Sequence, residues 1–273
     1  MISIIIPLYN KYESISRAID SVMSQTYCDW ELVVIDDGST DDSKDIVASY
    51  TDPRIKYYYQ TNAGVSTARN NGVEKANGEW IVFLDADDYL TPEALEIFIG
   101  LYNEFGTGFC AANYKVGYNG EIFDTVSKRR RGILENNYKS WYFHEYYPGR
   151  MSSFMVKRDL VLKHKFRGDL TRYEDCEVMF RILRECKVSY SDNITMVYMD
   201  DYKGLSNRAA NPFTDFAFNL PFRDASFWQR MVLIHILRSA FHRYPELKLY
   251  LFKKYPDCFV YITIDKILKR IYC

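Results

Sequence analysis

Trp80-Ile81-Val82-Phe83-Leu84-Asp85-Ala86-Asp87-Asp88 decides the fold: five apolar residues run directly into three carboxylates. An apolar run without polar alternation reads as a strand buried on both faces, as in parallel sheets. In open α/β sheets, ligands bind just beyond the carboxyl ends of such strands, where Asp85, Asp87 and Asp88 fall. Carboxylates this close repel one another at neutral pH unless a cation sits among them. A hard divalent ion suits oxygen donors, and Mg²⁺ or Mn²⁺ held by one or two carboxylates leaves room for the phosphates of a ligand. The same pattern also fits a solvated acidic turn ahead of a helix starting near Thr91-Pro92-Glu93, so its neighbours must be weighed with it.

Outward from this stretch, strands and helices alternate. Ile2 to Leu8, Trp30 to Ile35 and Ile55 to Tyr59 are short runs rich in β-branched and aromatic residues. Between them, Ser14 to Ser24 places Ile15, Ala18, Ile19 and Val22 on one stripe, a second helix follows Gly38-Ser39-Thr40-Asp41-Asp42, and a third lies between Gly64 and Ala76. This βαβα order predicts an α/β fold. Beyond Phe109 the pattern loosens to a strand over Phe109 to Tyr118, a hairpin turn at Asn119-Gly120 and the basic run Lys128-Arg129-Arg130-Arg131.

Composition excludes several classes. The 273 residues are 48% apolar and 26% charged, which suits one large globular domain with an appendage. With 35 basic against 36 acidic residues the net charge is −1, so no overall field points to nucleic acid. Six cysteines show no CxxC pair and no zinc-like spacing with the four histidines, as expected of reduced thiols in a cytoplasmic protein. Met1-Ile2-Ser3 leads directly into a strand without the basic n-region of a secretory leader, so export is not expected. One loose dinucleotide fingerprint, Gly106-Thr107-Gly108-Phe109-Cys110-Ala111, follows a helix and leads into a strand, the reverse of the order such a site needs. No Gly-Lys-Ser/Thr phosphate loop occurs.

Three further clusters fall at the same sheet edge. Pro7-Leu8-Tyr9-Asn10 ends the first strand with a ring able to stack on a base and an amide able to bond to it; Asp36-Asp37-Gly38-Ser39 ends the second; Asn62 to Asn70 runs into a helix carrying Arg69, a candidate for phosphate. Each alone is also an ordinary packed aromatic, turn or surface cation. Their convergence on one edge is what carries the argument.

Together Pro7 to Asn10, Val33 to Ser43, Asn62 to Gly72 and Phe83 to Leu95 resemble family 2 glycosyltransferases of the GT-A fold. The likeness is dense to about residue 100 and continues weakly into Tyr173-Glu174-Asp175-Cys176-Glu177, which is similar to the family's Glu-Asp element. It implies a Rossmann-like, mixed and mainly parallel sheet flanked by helices, and inverting transfer of a sugar from a nucleotide-diphosphate donor, a UDP-sugar first among the candidates. The acceptor would be a hydroxyl of a glycan or lipid-linked molecule in cell-surface polysaccharide synthesis. By the same resemblance, Pro7, Tyr9 and Asn10 line the nucleoside pocket, Asp37 contacts base or ribose, and Arg69 stands near the nucleotide. Asp85 and Asp87 are the nucleotide and metal carboxylates, with Asp87 the direct ligand of Mg²⁺ or Mn²⁺, and Asp175 is the catalytic base. Some relatives add a late histidine to the metal, but none here follows the Glu-Asp element before His235, so a third protein ligand goes unnamed. The competing reading is a catalytically silent nucleotide- or sugar-binding module of the same fold. A nucleotidyltransferase would need a Gly- and Lys/Arg-rich loop where Asn10-Lys11-Tyr12-Glu13 stands.

The division expected is a GT-A domain over 1–210, with a nucleotide-binding half to about 100 and an acceptor half beyond it, and a helical C-terminal extension over 211–273. Between Arg230 and Cys273 nine basic residues face three acidic ones, a net +6. A basic amphipathic tail of this kind can lie on the inner face of a membrane, or pack on the catalytic domain or on a second copy in a homo-oligomer, since each use needs the same apolar stripe.

Overall fold

The computed structural model describes residues 1–125, 131–145, 150–200 and 211–272. Four parallel strands form its first half: β1 (Ile2–Leu8), β2 (Trp30–Asp36), β3 (Ile55–Tyr59) and β4 (Trp80–Phe83). Their connections are α1 (Ile15–Met23), α2 (Ser43–Ala48) and α3 (Val65–Lys75). These elements lie within one or two residues of the sequence expectation, because an apolar run flanked by caps and turn residues leaves little freedom at its ends.

The second half departs from a parallel pattern. After β5 (Tyr89–Leu90), α4 (Ala94–Phe105), β6 (Phe109–Tyr118), β7 (Glu121–Asp124), β8 (Gly132–Ile133) and α5 (Asn137–Tyr142) comes β9 (Phe154–Lys157), which lies antiparallel between β4 and β6. Then follow α6 (Arg158–His164), α7 (Glu174–Ile182) and β10 (Val188–Met199), the last pairing in parallel with β6. The sheet order is β3-β2-β1-β4-β9-β6-β10-β5, with β7 on β6 and β8 on β10. The β6–β7 turn matches the Asn-Gly expectation: Asn119 (φ 50°) and Gly120 (φ 82°) both take the left-handed conformation of a type I′ hairpin. β10 escaped the sequence pattern because irregular pairing around Ser191 and Ile194 breaks its alternation. Gly106 (φ 64°) ends α4 in the left-handed conformation before β6, so the loose dinucleotide fingerprint closes a helix.

Side-chain alternation on β1 builds two cores. Ile2, Ile4, Ile6 and Leu8 face α1 and α4, whereas Ile5 faces α3 and the C-terminal half of the chain. In the tail, α8 (Phe227–Arg243), α9 (Lys248–Lys254) and α10 (Cys258–Tyr272) bury Met231, Leu233, Ile234, Leu237, Leu251 and Cys258 in that second core with Val178 and Phe180 of α7. α8 opens with a capping box in which the Ser226 N–H donates to Gln229 Oε1 at 2.8 Å. The expected boundary at 210 and Lys128 to Arg130 of the basic run lie outside the described residues; Arg131 pairs with Glu104 at 2.8 Å.

α3 lies close on β1 because Gly72 has no side chain: a Cβ there would stand 2.4 Å from Ile5 Cγ2 and 3.4 Å from Ile35 Cγ1. Gly72→Ala should therefore lower stability by about 1–3 kcal/mol through overpacking, a fall of about 3–10 °C in melting temperature for a chain of this size. Calorimetry checks it, and an unchanged or raised melting temperature would refute the close approach.

Candidate active site

Strand ends of the parallel half bring the expected residues to one edge. Pro7 is partly buried at the end of β1, and Tyr9 and Asn10 are exposed just beyond it. Asn10 adopts φ 51°, a left-handed turn that asparagine tolerates better than most residues. Its N–H donates to Ser39 Oγ (3.0 Å) and its Oδ1 accepts from the Thr40 N–H (2.8 Å), joining the loop after β1 to the loop after β2. Asp37 is buried, and its carboxylate accepts from Gln60 Nε2 (2.7 Å) and from the N–H groups of Ala63 (2.7 Å) and Gly64 (2.9 Å). In this structure it shapes the turn into α3. Asp36 accepts from the Ser39 N–H (2.7 Å) and the Tyr57 hydroxyl (2.6 Å).

The three carboxylates beyond β4 separate into two roles. Asp87 Oδ2 meets Lys11 Nζ at 2.6 Å, while Arg17 donates to the Asp87 carbonyl at 2.5 Å. Asp85 Oδ1 meets Arg69 Nη2 at 2.8 Å. Asp88 stands apart from the other two. It turns inward, is almost fully buried, and accepts from the Met199 N–H (3.0 Å) and the Ser152 hydroxyl (3.2 Å). Burial, then the charges of Asp85 and Asp87, push its carboxyl pKa well above the usual range.

Arg69 is no surface cation. Its side chain is 5% exposed, and besides Asp85 it faces Glu174 Oε1 at 3.6 Å. Its Nε and Nη1 are buried without a hydrogen-bond partner among the described residues. Burial works against its charge, but Asp85, Glu174 and Asp175 outweigh it and hold the guanidinium pKa above its ordinary value. Asp175, in the first turn of α7, is partly buried and accepts from the Cys176 N–H at 2.6 Å. Burial, then the neighbouring Glu174, push its carboxyl up to about 7, against the opposing pull of the Cys176 N–H and Arg69. Arg69 thus joins the end of β4 to the start of α7 and brings Asp85 and Asp175 into one electrostatic group, while Asp87 forms a second with Lys11.

The donor chemistry here suits a hard cation, because carboxylate oxygens are the ligands on offer and each of the two is already matched to a cationic side chain. No group of three or more His, Cys, Asp or Glu able to hold a metal occurs among the described residues. The described residues alone therefore offer too few ligands for a closed cage. His235 is remote from this role: it sits 3.3 Å from the buried Asp265, near Tyr142, and burial pushes its pKa down to about 4. Sequence reasoning passed over Lys11 and Arg17, although Lys11, directly after Pro7 to Asn10, was bound to reach the same edge.

Residues 3–161 match the family model described as glycosyl transferase family 2. The chain is 34% identical over 177 residues to the uncharacterized glycosyltransferase RC0461 of Rickettsia conorii, a match covering 64% of this chain and 29% of that protein. It is 39% identical over 123 residues to the Escherichia coli UDP-Glc:alpha-D-GlcNAc-diphosphoundecaprenol beta-1,3-glucosyltransferase WfgD, covering 45% of this chain and 49% of that one. The chain thus spans less than half the length of these curated relatives. Its fold is similar to that of Staphylococcus aureus TarS 1-349 in complex with UDP-GlcNAc, with a TM-score of 0.71 and 21% identity over 89% of this chain and 72% of that one.

A carboxyl group held near 7 when folded, but at about 4 when unfolded, destabilises the fold at high pH. The reason is that the unfolded chain loses the proton first: the penalty is absent below about pH 4, grows as pH rises and is complete above about 7. Asp175→Asn should therefore melt about 3–6 °C above the wild type at pH 8, with the gap closing toward pH 4. Melting scans in EDTA check it, and a variant less stable than wild type at pH 8 would contradict the burial argument.

Proposed function

The chain belongs to glycosyl transferase family 2, and on that premise we propose that it transfers one sugar, with inversion, from a nucleoside diphosphate donor to a hydroxyl of a glycan or lipid-linked acceptor. The observation that carries the reading is the Arg69 junction, which gathers a strand-end carboxylate and a carboxyl titrating at about 7 at the ligand-binding edge of the sheet. The printed names of relatives supply the substrate class: UDP-GlcNAc is bound by TarS, and WfgD uses UDP-Glc and a diphosphoundecaprenol-linked acceptor.

In this mechanism the Tyr9 ring stacks on the nucleobase, the Asn10 amide bonds to its edge, Pro7 lines the pocket, and Asp37 holds the turn beside the ribose. Asp87 would hold Mg²⁺ or Mn²⁺ with Asp85 beside it, and Lys11, which pairs with Asp87, would meet phosphate oxygen. The bound ion supplies charge neutralisation for the departing diphosphate. Asp175 accepts the proton of the attacking acceptor hydroxyl, and a pKa near the working pH lets it be ionised before the reaction and basic enough during it. One displacement from the face opposite the leaving group inverts the anomeric carbon, the stereochemical logic of inverting hydrolases.

Two variants test the roles separately. Asp87→Ala should abolish the Mn²⁺-dependent part of UDP binding and most transfer while the fold survives. Asp175→Asn should bind UDP as the wild type does yet lose on the order of 10²- to 10⁴-fold in rate. In the wild type, kcat/KM should fall about tenfold per pH unit below about 7 as Asp175 takes up its proton. Full activity of Asp87→Ala, or undiminished transfer in excess EDTA, would refute the metal role; wild-type turnover by Asp175→Asn would refute the base.

We also propose that α10 docks on the cytoplasmic leaflet where a lipid-linked acceptor resides. Among the described residues no helix is long and apolar enough to cross a membrane. The exposed side of α10 carries Val260, Ile267 and Ile271 beside exposed Lys266 and Arg270, while its one acid, Asp265, is buried and pairs with Lys269 at 3.4 Å. Such a face matches an anionic surface, each well-placed cation adding up to about 1 kcal/mol. Co-sedimentation with phosphatidylserine-containing vesicles should be strong at low salt and weaken when Lys266, Lys269 and Arg270 are neutralised. Indifference to those vesicles, with a dimer in solution, would assign the face to a second copy.

A further inference from the structure

Tyr173 precedes Glu174 and Asp175 and takes the left-handed backbone conformation (φ 58°, ψ 25°) that tyrosine adopts only under constraint. This turn sets the direction in which α7 leaves and hence where its first carboxylates stand. No side-chain cap holds it from within α7. What holds it comes from the C-terminal helical segment. The Tyr173 hydroxyl donates to Ser239 Oγ at 2.8 Å and accepts from Arg243 Nη2 at 3.2 Å, and both partners lie on the last turns of α8. Arg243 also donates to Ser239 Oγ (3.0 Å), and its guanidinium lies 5.4 Å from the centre of the Tyr173 ring. The other arm of Arg243 meets Asp215 Oδ2 at 2.6 Å, and Asp215 is fully buried. Backbone bonds complete the clamp on either side of this pair: the Thr171 N–H donates to the Thr214 carbonyl (3.0 Å), and the Phe216 N–H to the Arg172 carbonyl (3.2 Å).

Resting on the transferase reading above, we infer that Arg243, acting through Ser239 and the Tyr173 ring, is a positioning residue that fixes where the Asp175 carboxylate stands. Arg243 touches no reacting atom; it acts from the far end of a clamp two residues from the base. A general base must lie within hydrogen-bond reach of the proton it takes, and a misplacement of about 1 Å costs on the order of 100-fold in rate. The planar fork of arginine suits the task, because it spans a carboxylate on one side and two hydroxyls on the other, which a lysine ammonium cannot do in one geometry. On this account the helical tail is part of the machinery of the reaction, since its α8 determines the position of the base.

The test uses the full chain and three variants, Arg243→Gln, Tyr173→Phe and Asp175→Asn. UDP is the binding probe, with Mn²⁺ present, and UDP release from UDP-glucose or UDP-GlcNAc is the measure of turnover. Counting UDP-binding sites by calorimetry normalises the rate to folded enzyme, so a loss of stability alone leaves turnover per site unchanged. The expected result is a fall of about 10- to 100-fold in turnover per site for Arg243→Gln and Tyr173→Phe, with the UDP dissociation constant within about twofold of wild type. If Arg243→Gln fails to fold because Asp215 is left buried and unpaired, Tyr173→Phe carries the test, because it removes one hydroxyl and keeps the Arg243–Asp215 pair. A melting-temperature cycle between Tyr173→Phe and Asp175→Asn at pH 8 needs no turnover and should show non-additive shifts. Wild-type turnover per site in Tyr173→Phe, a rate loss matched by an equal loss of UDP affinity, or additive melting shifts would overturn the inference. Wild-type turnover by Asp175→Asn would instead bring down the assignment of the base on which the inference rests.

Discussion

A buried guanidinium cannot be left without carboxylates around it, and much of the site's organisation follows from satisfying Arg69. It rises from α3, meets Asp85 at the end of β4, and faces Glu174 at the start of α7. Breaking one partner of a buried pair costs far more than the pair itself contributes, so the three elements are tied to one geometry. The same crowding holds Asp175 near 7: burial and the Glu174 charge raise it, and the shared arginine keeps it from rising further. A group in this state is poorly placed for stability and well placed for proton transfer, a common trade at functional sites.

Asp88 illustrates the opposite solution to the same repulsion. Where Asp85 and Asp87 stay toward the edge with cationic partners, Asp88 is drawn into the interior by the Met199 N–H and the Ser152 hydroxyl, and burial there raises its carboxyl pKa. The acidic stretch therefore splits along its own chain, and the polar backbone of β10 decides which carboxylate goes inward. This anchoring also couples the edge of the parallel half to the mixed half of the sheet.

The tail is continuous with this arrangement. Met231, Leu233 and Leu237 of α8 pack in the same core as Val178 and Phe180 of α7, so the helix carrying the Glu-Asp element rests on residues more than 50 positions further along. The buried Asp265 joins α10 to α8 and α5 through His235, Arg238 and Tyr142. With that acid spent internally, the outer side of α10 is left cationic and apolar, which is the basis for its proposed docking.

By itself the sequence determined the parallel half and the edge at which its polar strand ends gather. Unbroken apolar runs such as Ile2 to Leu8 and Trp80 to Leu84 have one low-energy use, and their polar ends must emerge together once they pair in parallel. Pro7, Tyr9, Asn10, Asp37, Asp85 and Asp87 were legible for that reason, and so was the Asn119-Gly120 turn, whose left-handed angles are a local preference. Only the tertiary structure decided that Arg69 is buried, that Asp88 turns inward, and that Tyr173 is held by Ser239 and Arg243. Those outcomes depend on which distant groups meet at fixed distances, and residues 70 positions apart carry no shared local pattern that a period of two or 3.6 could reveal. Burial and electrostatic partnership belong to the folded whole, whereas strand ends and turns belong to the chain.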